Sequence, residues 1–299
     1  MKITLITACY NSASVIRTAI ESVLRQTWPE IEYLVVDGGS TDGTVEIIRE
    51  YETSFAGRMR WVSERDKGFY DAINKGIQRA TGEVVGILNA DDVMADDHVI
   101  ERVAEAFGKC VNALMPDCVS AEVREEKVCG DKSTRYSGKT AEYPPEYFDV
   151  LYGDIRFVAN RTDIGLDALR EEKTLRYYSS KYFRPWLMKF GYLPAHPTFY
   201  CRRQLFRKYG SYQTDYKIAA DHELLIRFLV KRSIRSRYLP GVFVVMRKGG
   251  MSTRSVQSTL IINRENIRAC RTNGIYTNQL MQLARYLFKI PGLVFRNGY

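Results

Sequence analysis

The sequence predicts an α/β protein in which a mostly parallel sheet is flanked by helices. Apolar runs typical of buried strands begin at Ile3, Ile31 and Val84. Amphipathic helical patterns separate these runs, and polar residues follow each of them. Strands that alternate with helices pair in parallel, so the polar residues that end them meet along one edge of the sheet.

The first two strands each lead into a helix. Residues 3–11 begin as a strand and end in polar residues. A single apolar stripe predicts the helix that follows: Val15, Ala19, Ile20, Val23 and Leu24. The second strand, 31–37, ends at Asp37-Gly38-Gly39, and a shorter apolar pattern over 45–48 predicts the next helix.

A third helix is predicted after the segment 64–68. The residues at helical spacing on its buried face are Phe69, Ala72, Ile73, Gly76, Ile77 and Ala80. Asp71, Asn74 and Lys75 then occupy another face, which we expect to point toward the polar edge of the sheet. For Lys67 and Lys75, the alternative to a position near this edge is a helix surface exposed to solvent.

The run 84–88 predicts a third strand, and Asn89-Ala90-Asp91-Asp92 follows it directly. Carboxylates at the carboxyl end of such a strand lie where open α/β sheets bind ligands. Hard oxygen ligands suit Mg²⁺ or Mn²⁺, whose shell substrate phosphates often complete. The stretch therefore predicts metal-assisted handling of a diphosphate. The alternative is an acidic pair that only ends the strand or caps the next helix.

The second half of the chain gives weaker patterns. Segments 118–123 and 151–155 have the composition of strands, and the polar stretch 124–145 between them is typical of a loop. Residues 170–192 are rich in Arg and Tyr. Because aromatic faces pack on sugar rings, this run is a candidate lining for an acceptor site. An amphipathic helix whose aromatic residues enter the core is the alternative.

Composition is that of an ordinary globular chain. With 299 residues, 45% apolar and 26% charged, the chain can form one large or two smaller domains. Neither a leader nor an apolar run near about 18 residues is present, so we expect a cytoplasmic protein without membrane spans. The six cysteines contain no Cys-x2-Cys pair, which argues against structural zinc and favours reduced thiols.

Other nucleotide-binding classes lack their signatures here. No Gly-x-Gly-x-x-Gly follows the first strand, as a dinucleotide dehydrogenase requires, and no Gly-x4-Gly-Lys-Ser/Thr of a P-loop NTPase or kinase occurs. A nucleotidyltransferase would normally present a Gly-rich, basic loop after the first strand. Segment 7–11 contains neither Gly nor Lys.

In order and content, segments 3–11, 31–44, 64–77 and 89–92 resemble the nucleotide-sugar-binding half of a family 2 glycosyltransferase with the GT-A fold. The resemblance implies a Rossmann-like sheet, a nucleotide-sugar donor and a divalent metal, Mn²⁺ or Mg²⁺. It also implies an acceptor that receives the sugar.

Donor contacts follow from this resemblance. Thr7, Ala8, Tyr10 and Asp37 would hold uracil and ribose, because a carboxylate accepts from the uracil imide N–H and an aromatic ring packs on the base. An Asx turn is the alternative for Asp37. The other implied donor contacts are Asp66, Asp71, Asn74, Lys75, Asn89 and Ala90.

The metal motif departs from the family's usual Asp-x-Asp. Asn89 occupies the first position, which leaves Asp91 as the main metal ligand and Asp92 beside it. The Asn89 amide can still accept from a ribose hydroxyl, but it brings no charge. We therefore expect weaker metal affinity than in relatives.

The catalytic base is expected at the start of a helix beyond the metal motif. Asp221 matches the family's position, with Glu223 as runner-up, and a helix cap is the alternative for Asp221. His196 is a candidate contact to acceptor or diphosphate, or else a structural loop histidine. Arg247 begins a Gly-rich loop over 247–252 that is a candidate to close over the diphosphate.

The resemblance implies an inverting transferase that moves a sugar, a hexose or N-acetylhexosamine, from a UDP-sugar to a saccharide or lipid-linked saccharide. The expected setting is assembly of a bacterial surface polysaccharide. The expected parts are a nucleotide-sugar-binding half (1–112), an acceptor and catalytic-base part (113–240) and a C-terminal loop with a basic amphipathic helix (241–299). The alternatives are a non-catalytic nucleotide-sugar-binding protein and a nucleotidyltransferase.

Charge is distributed unevenly. Residues 1–149 carry 17 basic and 26 acidic side chains, whereas residues 150–299 carry 27 and 9. A cationic half suits a membrane surface or a diphosphate-bearing acceptor. The amphipathic pattern over 280–296 could lie in an anionic headgroup layer on the inner membrane face or pack back on its own domain. No recognition module for nucleic acid is found, so none is expected as a partner.

Overall fold

The computed structural model describes residues 1–112, 147–249 and 256–284. Its strands are β1 (Ile3–Cys9), β2 (Ile31–Asp37), β3 (Met59–Ser63), β4 (Val84–Ile87), β5 (Asp92–Met94), β6 (Val150–Val158), β7 (Arg176–Tyr178), β8 (Tyr200–Arg202) and β9 (Ser236–Arg247). Its α-helices are α1 (Ile16–Leu24), α2 (Thr44–Glu52), α3 (Phe69–Arg79), α4 (Val99–Asn112), α5 (Leu166–Glu171), α6 (Gln204–Tyr209), α7 (Ala220–Leu225), α8 (Val256–Thr272) and α9 (Gln279–Leu283). A π-helical turn, Ile226–Lys231, continues α7, and 310 turns cover Thr53–Phe55, Pro185–Phe190 and His196–Thr198.

The strands form one sheet in the order β3-β2-β1-β4-β8-β6-β9-β5, with β7 paired to β6. Strands β3, β2, β1 and β4 are parallel. The pairs β4–β8, β6–β8 and β5–β9 are antiparallel, whereas β6–β9 is parallel. The predicted α/β fold is confirmed, and its parallel pairing is concentrated in the first hundred or so residues.

The sheet must curl, because β4 and β5 are close in sequence but distant in strand order. Four strand spacings separate them, about 19 Å in a flat sheet. The chain from Ile87 to Asp92 reaches about 17 Å when fully extended, and it is not extended, since the Asp92 amide donates to the Asn89 carbonyl at 3.1 Å. The curl brings the end of the sheet back to the carboxyl end of β4.

Helices cover both faces of the sheet. One apolar core lies between the sheet and α3, α6 and α7, and a second lies under α1, α2 and α4. Helix α3 packs closely on β1 at Gly76, where a Cβ would lie 2.5 Å from Cγ2 of Ile6. The close approach places the start of α3 beside the polar edge of the sheet.

Several expectations from the sequence can be compared with this fold. The boundary expected between 240 and 241 falls inside β9, and the expected division of the chain into three parts stays a prediction. The Arg- and Tyr-rich run 170–192 is not a single amphipathic helix, because it contains the end of α5, strand β7 and a 310 turn. The strand expected over 118–123 and the loop over 124–145 lie outside the described residues, as do residues 250–252 of the Gly-rich loop and most of the C-terminal amphipathic pattern.

No helix within 1–112, 147–249 or 256–284 is both long and apolar enough to cross a bilayer. The cysteine side chains that the structure describes, at Cys9, Cys201 and Cys270, are buried free thiols.

Candidate active site

The carboxylate of Asp37 organises the loop after β2. Its Oδ2 accepts from the amides of Gly39 and Ser40 at 3.0 and 2.9 Å and from the Ser63 hydroxyl at 2.6 Å. The Ser40 hydroxyl donates to Oδ1. Burial raises the pKa of Asp37, but these hydrogen bonds outweigh it and bring the pKa below its usual value. Asp37 therefore has the Asx-turn role in the structure. Both of its carboxylate oxygens already accept hydrogen bonds from the protein, and a contact with uracil stays a prediction.

The loops after β1 and β2 are tied to each other before any donor binds. The Asn11 amide donates to the Ser40 hydroxyl at 2.8 Å, and the Asn11 side chain accepts from the Thr41 amide at 3.0 Å. Asn11 has a φ of 47°, a left-handed conformation that Asn tolerates better than most residues. Asp42 Oδ2 accepts from the Ala13 amide at 3.0 Å. Both loops are therefore preorganised.

The side chains of Tyr10 and Asp66 approach Gly38 closely at this edge. A Cβ on Gly38 would lie 2.5 Å from Asp66 Oδ2 and 3.4 Å from the Tyr10 ring. The Tyr10 side chain is 64% exposed, so its ring is accessible to a planar ligand. Asp66 Oδ1 accepts from the Gly68 amide at 2.8 Å. This arrangement suits a base and ribose, as the sequence predicts for Tyr10 and Asp66.

Thr7 and Ala8 are buried at the end of β1. The Thr7 hydroxyl donates to the Leu88 carbonyl at 2.8 Å and accepts from the Tyr33 hydroxyl at 3.0 Å. The Thr7 side chain thus joins the ends of β1 and β4 and does not face a ligand. A donor contact from this strand end would use the main chain.

The polar face of α3 differs from the prediction. Asn74 holds the main chain of Tyr212 in both directions, since Nδ2 donates to the carbonyl at 2.8 Å and Oδ1 accepts from the amide at 2.9 Å. Asp71 Oδ2 accepts from the Lys67 amide at 3.0 Å. The structure therefore assigns Asn74 to positioning a neighbouring segment rather than to the donor.

Lys75 is also engaged within the protein. Its ammonium group lies 3.1 Å from Glu64 and 3.8 Å from Asp71, and it donates to the Arg65 carbonyl at 2.9 Å. The side chain is 21% exposed, so the solvated alternative does not describe it, and the implied donor contact stays a prediction. Lys75 fastens the segment that carries Asp66 to α3.

The Asn89–Asp92 turn presents its two acids differently. Asp92 is buried, and its Oδ2 accepts from the Asn89 side chain at 2.7 Å. Its Oδ1 is buried without a hydrogen-bond partner among the described residues. Burial and the neighbouring charge of Asp91 raise the pKa of Asp92 well above its usual value. Asp92 therefore holds Asn89 in place, and Asp91 is the half-buried acid of the pair.

Arg247 supports this turn from beneath. Its Nη1 donates to the Asp91 carbonyl at 2.6 Å, Nη2 to the Thr18 hydroxyl at 3.0 Å and Nε to the Arg161 carbonyl at 2.9 Å. The side chain is 3% exposed, and burial lowers the pKa of its guanidinium. Arg247 therefore has a positioning role in the structure, and its expected contact with the diphosphate stays a prediction.

The residues of this edge fit a divalent cation that the donor itself helps to bind. The described residues contain no group of three His, Cys, Asp or Glu side chains that could hold a metal alone. Asp91 fits as the single carboxylate ligand, because Asp92 is buried and its raised pKa favours the neutral form. Mg²⁺ and Mn²⁺ accept such a site when substrate phosphates supply further oxygens.

Asp221 lies in the first turn of α7, among aromatic side chains. Its Oδ1 accepts from the His222 amide at 2.8 Å. Burial raises the pKa of Asp221, while the nearby His196 acts in the opposite direction. His196 Nε2 lies 2.7 Å from the Tyr212 hydroxyl, and burial lowers the pKa of His196. A carboxylate with a raised pKa is suited to accept a proton.

Tyr70 connects this acid to the donor edge. Its ring stacks on Tyr212 with the centroids 5.7 Å apart, and its hydroxyl donates to the Ile218 carbonyl. Tyr70 lies in the first turn of α3, two residues after Gly68, and the Tyr70 and Asp221 groups interact electrostatically. The predicted base therefore lies beside the start of α3, which follows the Asp66 segment.

Glu223 is unsuited to the role of base. Its carboxylate pairs with Arg227, whose Nε lies 3.0 Å from Oε1 and whose Nη2 lies 2.9 Å from Oε2. Asn273 also donates to Oε1, at 3.3 Å. Glu223 is 5% exposed, so the runner-up prediction is replaced by a structural one: Glu223 fixes α7 through a buried ion pair.

A sequence profile described as "Glycosyl transferase family 2" matches residues 4–160, more than half of the chain. The chain belongs to glycosyl transferase family 2. The predicted family is confirmed, and membership removes the nucleotidyltransferase alternative.

Two relatives named as glycosyltransferases agree with this assignment. The PGL/p-HBAD biosynthesis glycosyltransferase of Mycobacterium bovis is 25% identical to this family 2 transferase over 256 residues, 84% of this chain and 79% of that protein. An uncharacterized glycosyltransferase of Nostoc is 39% identical over 107 residues, which cover 36% of this chain and 33% of that protein.

Solved structures confirm the GT-A fold of the transferase. S. aureus TarS in complex with UDP-GlcNAc matches with a TM-score of 0.59 and 17% identity, over 100% of this chain and 74% of that one. The mannosyltransferase PcManGT of Pyrobaculum calidifontis, in complex with GDP-Man and Mn²⁺, matches with a TM-score of 0.53 and 19% identity, over 98% and 72%. Both uridine and guanosine donors therefore occur on this fold.

Sequence reasoning missed several residues that build the transferase's site. Tyr70 and Tyr212 were not singled out, although Tyr70 interrupts the polar face of α3. Ser63, which donates to Asp37, carries no local signal because it lies 26 residues further along the chain. Asp154 is buried and accepts from the hydroxyls of Tyr177 and Tyr238 at 2.6 and 2.7 Å.

Proposed function

We propose that this family 2 transferase moves a sugar from a UDP-sugar to a hydroxyl of a saccharide or lipid-linked saccharide, with inversion at the anomeric carbon. The observation that supports it most is the contrast between two acids of α7. Glu223 forms an ion pair with Arg227, whereas Asp221 accepts from the His222 amide and has a raised pKa. Asp221 is therefore the acid suited to take the acceptor's proton.

The donor would bind along the edge formed by the ends of β1, β2 and β4. Tyr10 would pack on the base, and Asp66 would accept from ribose hydroxyls. A divalent metal bound at Asp91 would stabilise the departing diphosphate. Arg247 holds Asp91 in place by donating a hydrogen bond to its main-chain carbonyl.

Inversion needs one base on the side of the sugar opposite the leaving group. Asp221 would remove the hydroxyl proton as the oxygen attacks, and the diphosphate would leave on the Asp91 side. The position of Asp221 next to Tyr70, at the start of α3, supports this division of the site. The acceptor class rests on the cationic second half and on the family, since acceptor chemistry is not encoded in a motif.

A hydrolysis screen tests the donor. The transferase is incubated with UDP-, GDP-, ADP- and dTDP-sugars, with Mn²⁺ or Mg²⁺, and the released nucleoside diphosphate is measured. We expect UDP release from one UDP-sugar, and a β anomer as the first product of an α-linked donor. Asp91→Ala serves as the inactive control.

Other outcomes identify what is wrong. Fastest release from a GDP-sugar would contradict uridine selectivity, and an α anomer would contradict inversion. Binding of UDP without release from any UDP-sugar, in the presence of saccharide acceptors as well, would favour the non-catalytic nucleotide-sugar-binding alternative, which the Asn89 substitution in the metal motif supports.

A further inference from the structure

Exposed apolar side chains gather in one region outside the donor site. Seven large hydrophobic residues are strongly exposed in the described part of the chain. Five of them lie in two segments that meet, and we call them the exposed apolar patch: Tyr182, Trp186, Tyr276, Leu280 and Leu283. Their exposed fractions are 62%, 58%, 77%, 79% and 44%. A concentration of this kind is typical of an interaction surface.

The two segments are fastened together at Lys189. Its carbonyl accepts from the Thr277 hydroxyl at 2.6 Å and from the Gln282 side chain at 3.0 Å. Gln282 is buried on the inner side of α9. The 310 turn Pro185–Phe190 and helix α9 therefore form one rigid ledge with its apolar side chains facing outward.

Lysine groups accompany the aromatic rings on this ledge. The ammonium group of Lys189 lies 5.9 Å from the Trp186 ring centroid, and that of Lys181 lies 5.4 Å from the Tyr182 ring centroid. Trp, Tyr and Lys are the residues that favour the interface between water and bilayer.

The surrounding sequence carries one sign of charge. Residues 173–214 contain nine Lys and Arg and no Asp or Glu, and residues 266–299 contain five Lys and Arg and no Asp or Glu. An anionic surface is therefore complementary to both segments that form the patch.

We propose that the exposed apolar patch docks the transferase on an anionic lipid bilayer, with Trp186 and Leu280 inserted among the headgroups. The 310 turn of the patch also contacts the π-helical turn that continues α7, so docking there would place the bilayer on the same side of the sheet as Asp221. This inference adds a surface to the proposed function, which named a lipid-linked acceptor as one option.

Vesicle binding tests the proposal without donor or acceptor. The full chain is sedimented with vesicles of phosphatidylcholine alone, or with 30 mol% phosphatidylglycerol as a test composition of roughly physiological anionic content. We expect binding to the anionic vesicles only, a decrease with salt, and a blue shift of Trp186 fluorescence that Trp186→Phe removes. Trp186→Ser with Leu280→Ser should weaken partitioning at least about tenfold.

A charge control separates docking from general attraction. Lys181→Glu with Lys189→Glu should also weaken partitioning at least about tenfold. Lys109→Glu changes charge on α4, which packs on the opposite face of the sheet, and it should have less than a threefold effect.

Three results would overturn the proposal. The first is no binding to anionic vesicles. The second is equal binding by the Trp186 and Leu280 variant. The third is loss of a dimer, or of saccharide binding, in that variant with vesicle binding unchanged, which would assign the patch to a second copy or to the acceptor. None of these results bears on donor hydrolysis, so the proposed transferase activity would be tested separately.

Discussion

Asp221 and Glu223 lie two residues apart in α7, and their carboxylates have different neighbours. Asp221 is held by a backbone amide among aromatic rings, whereas Glu223 faces the guanidinium of Arg227. Sequence position alone predicts Asp221 ahead of Glu223 as the base, and it gives no physical reason for that order. Arg227, which forms the ion pair with Glu223, is four residues further along the same chain.

Asp221→Asn should separate chemistry from folding. Asn keeps an oxygen for the His222 amide but cannot accept a proton, so turnover should fall by roughly 10²–10⁴. Donor affinity should stay within about twofold. Steady-state kinetics and calorimetry with UDP measure both, and normal turnover would remove Asp221 from the mechanism.

The same variant should melt at the wild-type temperature or above it near neutral pH. Burial raises the pKa of Asp221 in the folded state, so the stability it contributes is full below the unfolded pKa and is lost as pH rises through the folded pKa. Because burial disfavours the charged form of Asp221, the uncharged Asn avoids that cost at every pH at which the carboxylate ionises. A fall in melting temperature on substitution would contradict this assignment of the shift.

Activity should follow the ionisation of Asp221 as well. The base works only when unprotonated, so kcat/KM should fall toward acid pH with a midpoint above the ordinary Asp value of about 3.9. A pH–rate profile of donor hydrolysis at saturating metal measures the midpoint. The residual activity of Asp221→Asn should not show this fall toward acid pH. If the same fall remains in the variant, another group is responsible for it.

At the scale of elements, α7 and its π-helical continuation depend on the Glu223–Arg227 pair. Arg227 also donates to the carbonyls of Tyr209, Gly210 and Ser211. Glu223→Gln would leave the buried guanidinium without its counter-charge, which costs about 3–5 kcal/mol. The free energy of unfolding in urea measures this loss of stability.

Glu50→Gln is the matched control, because Glu50 forms an exposed ion pair with Arg17 at 2.7 Å. Its effect should stay below about 1 kcal/mol. Equal losses for the two variants would mean that the Glu223–Arg227 pair does not secure α7.

At the scale of the whole molecule, nucleotide binding should stabilise the fold. A ligand that binds only the folded state at 100 times its Kd adds about 2.7 kcal/mol. We expect UDP with Mn²⁺ to raise Tm by several degrees and GDP to raise it less. Asp91→Ala should lose the increment that Mn²⁺ adds to UDP. Equal shifts with UDP and GDP would mean that the diphosphate alone is recognised.

The sequence predicts the donor half well because its signals are local. Strands β1, β2 and β4 and helices α1–α3 appear where apolar periodicity places them, and their polar ends lie at one edge. Residue roles are harder, since Asn74 and Lys75 have polar side chains on the expected helix but bond to Tyr212 and Glu64. Their partners come from other segments, which a pattern within one helix cannot reveal.

The second half resists prediction for a physical reason. Strands β7 and β8 have three residues each, too few for a period to show. Their pairing depends on β6 and β4, far away in the chain. Arg247 shows the same limit, because its burial under the Asp91 turn follows from the β5–β9 pairing.

The curl of the sheet sets a rule for how this transferase can vary. Four residues join β4 to β5, and both ends are fixed by strand pairing, β4 to β1 and β5 to β9. The Asn89–Asp92 turn therefore has a fixed length between two paired strands. A single inserted residue there would either shift the register of β5, turning its side chains to the opposite face, or push Asp91 out of line. In a library of one-residue insertions along the chain, positions 88–91 should therefore be among the least tolerant.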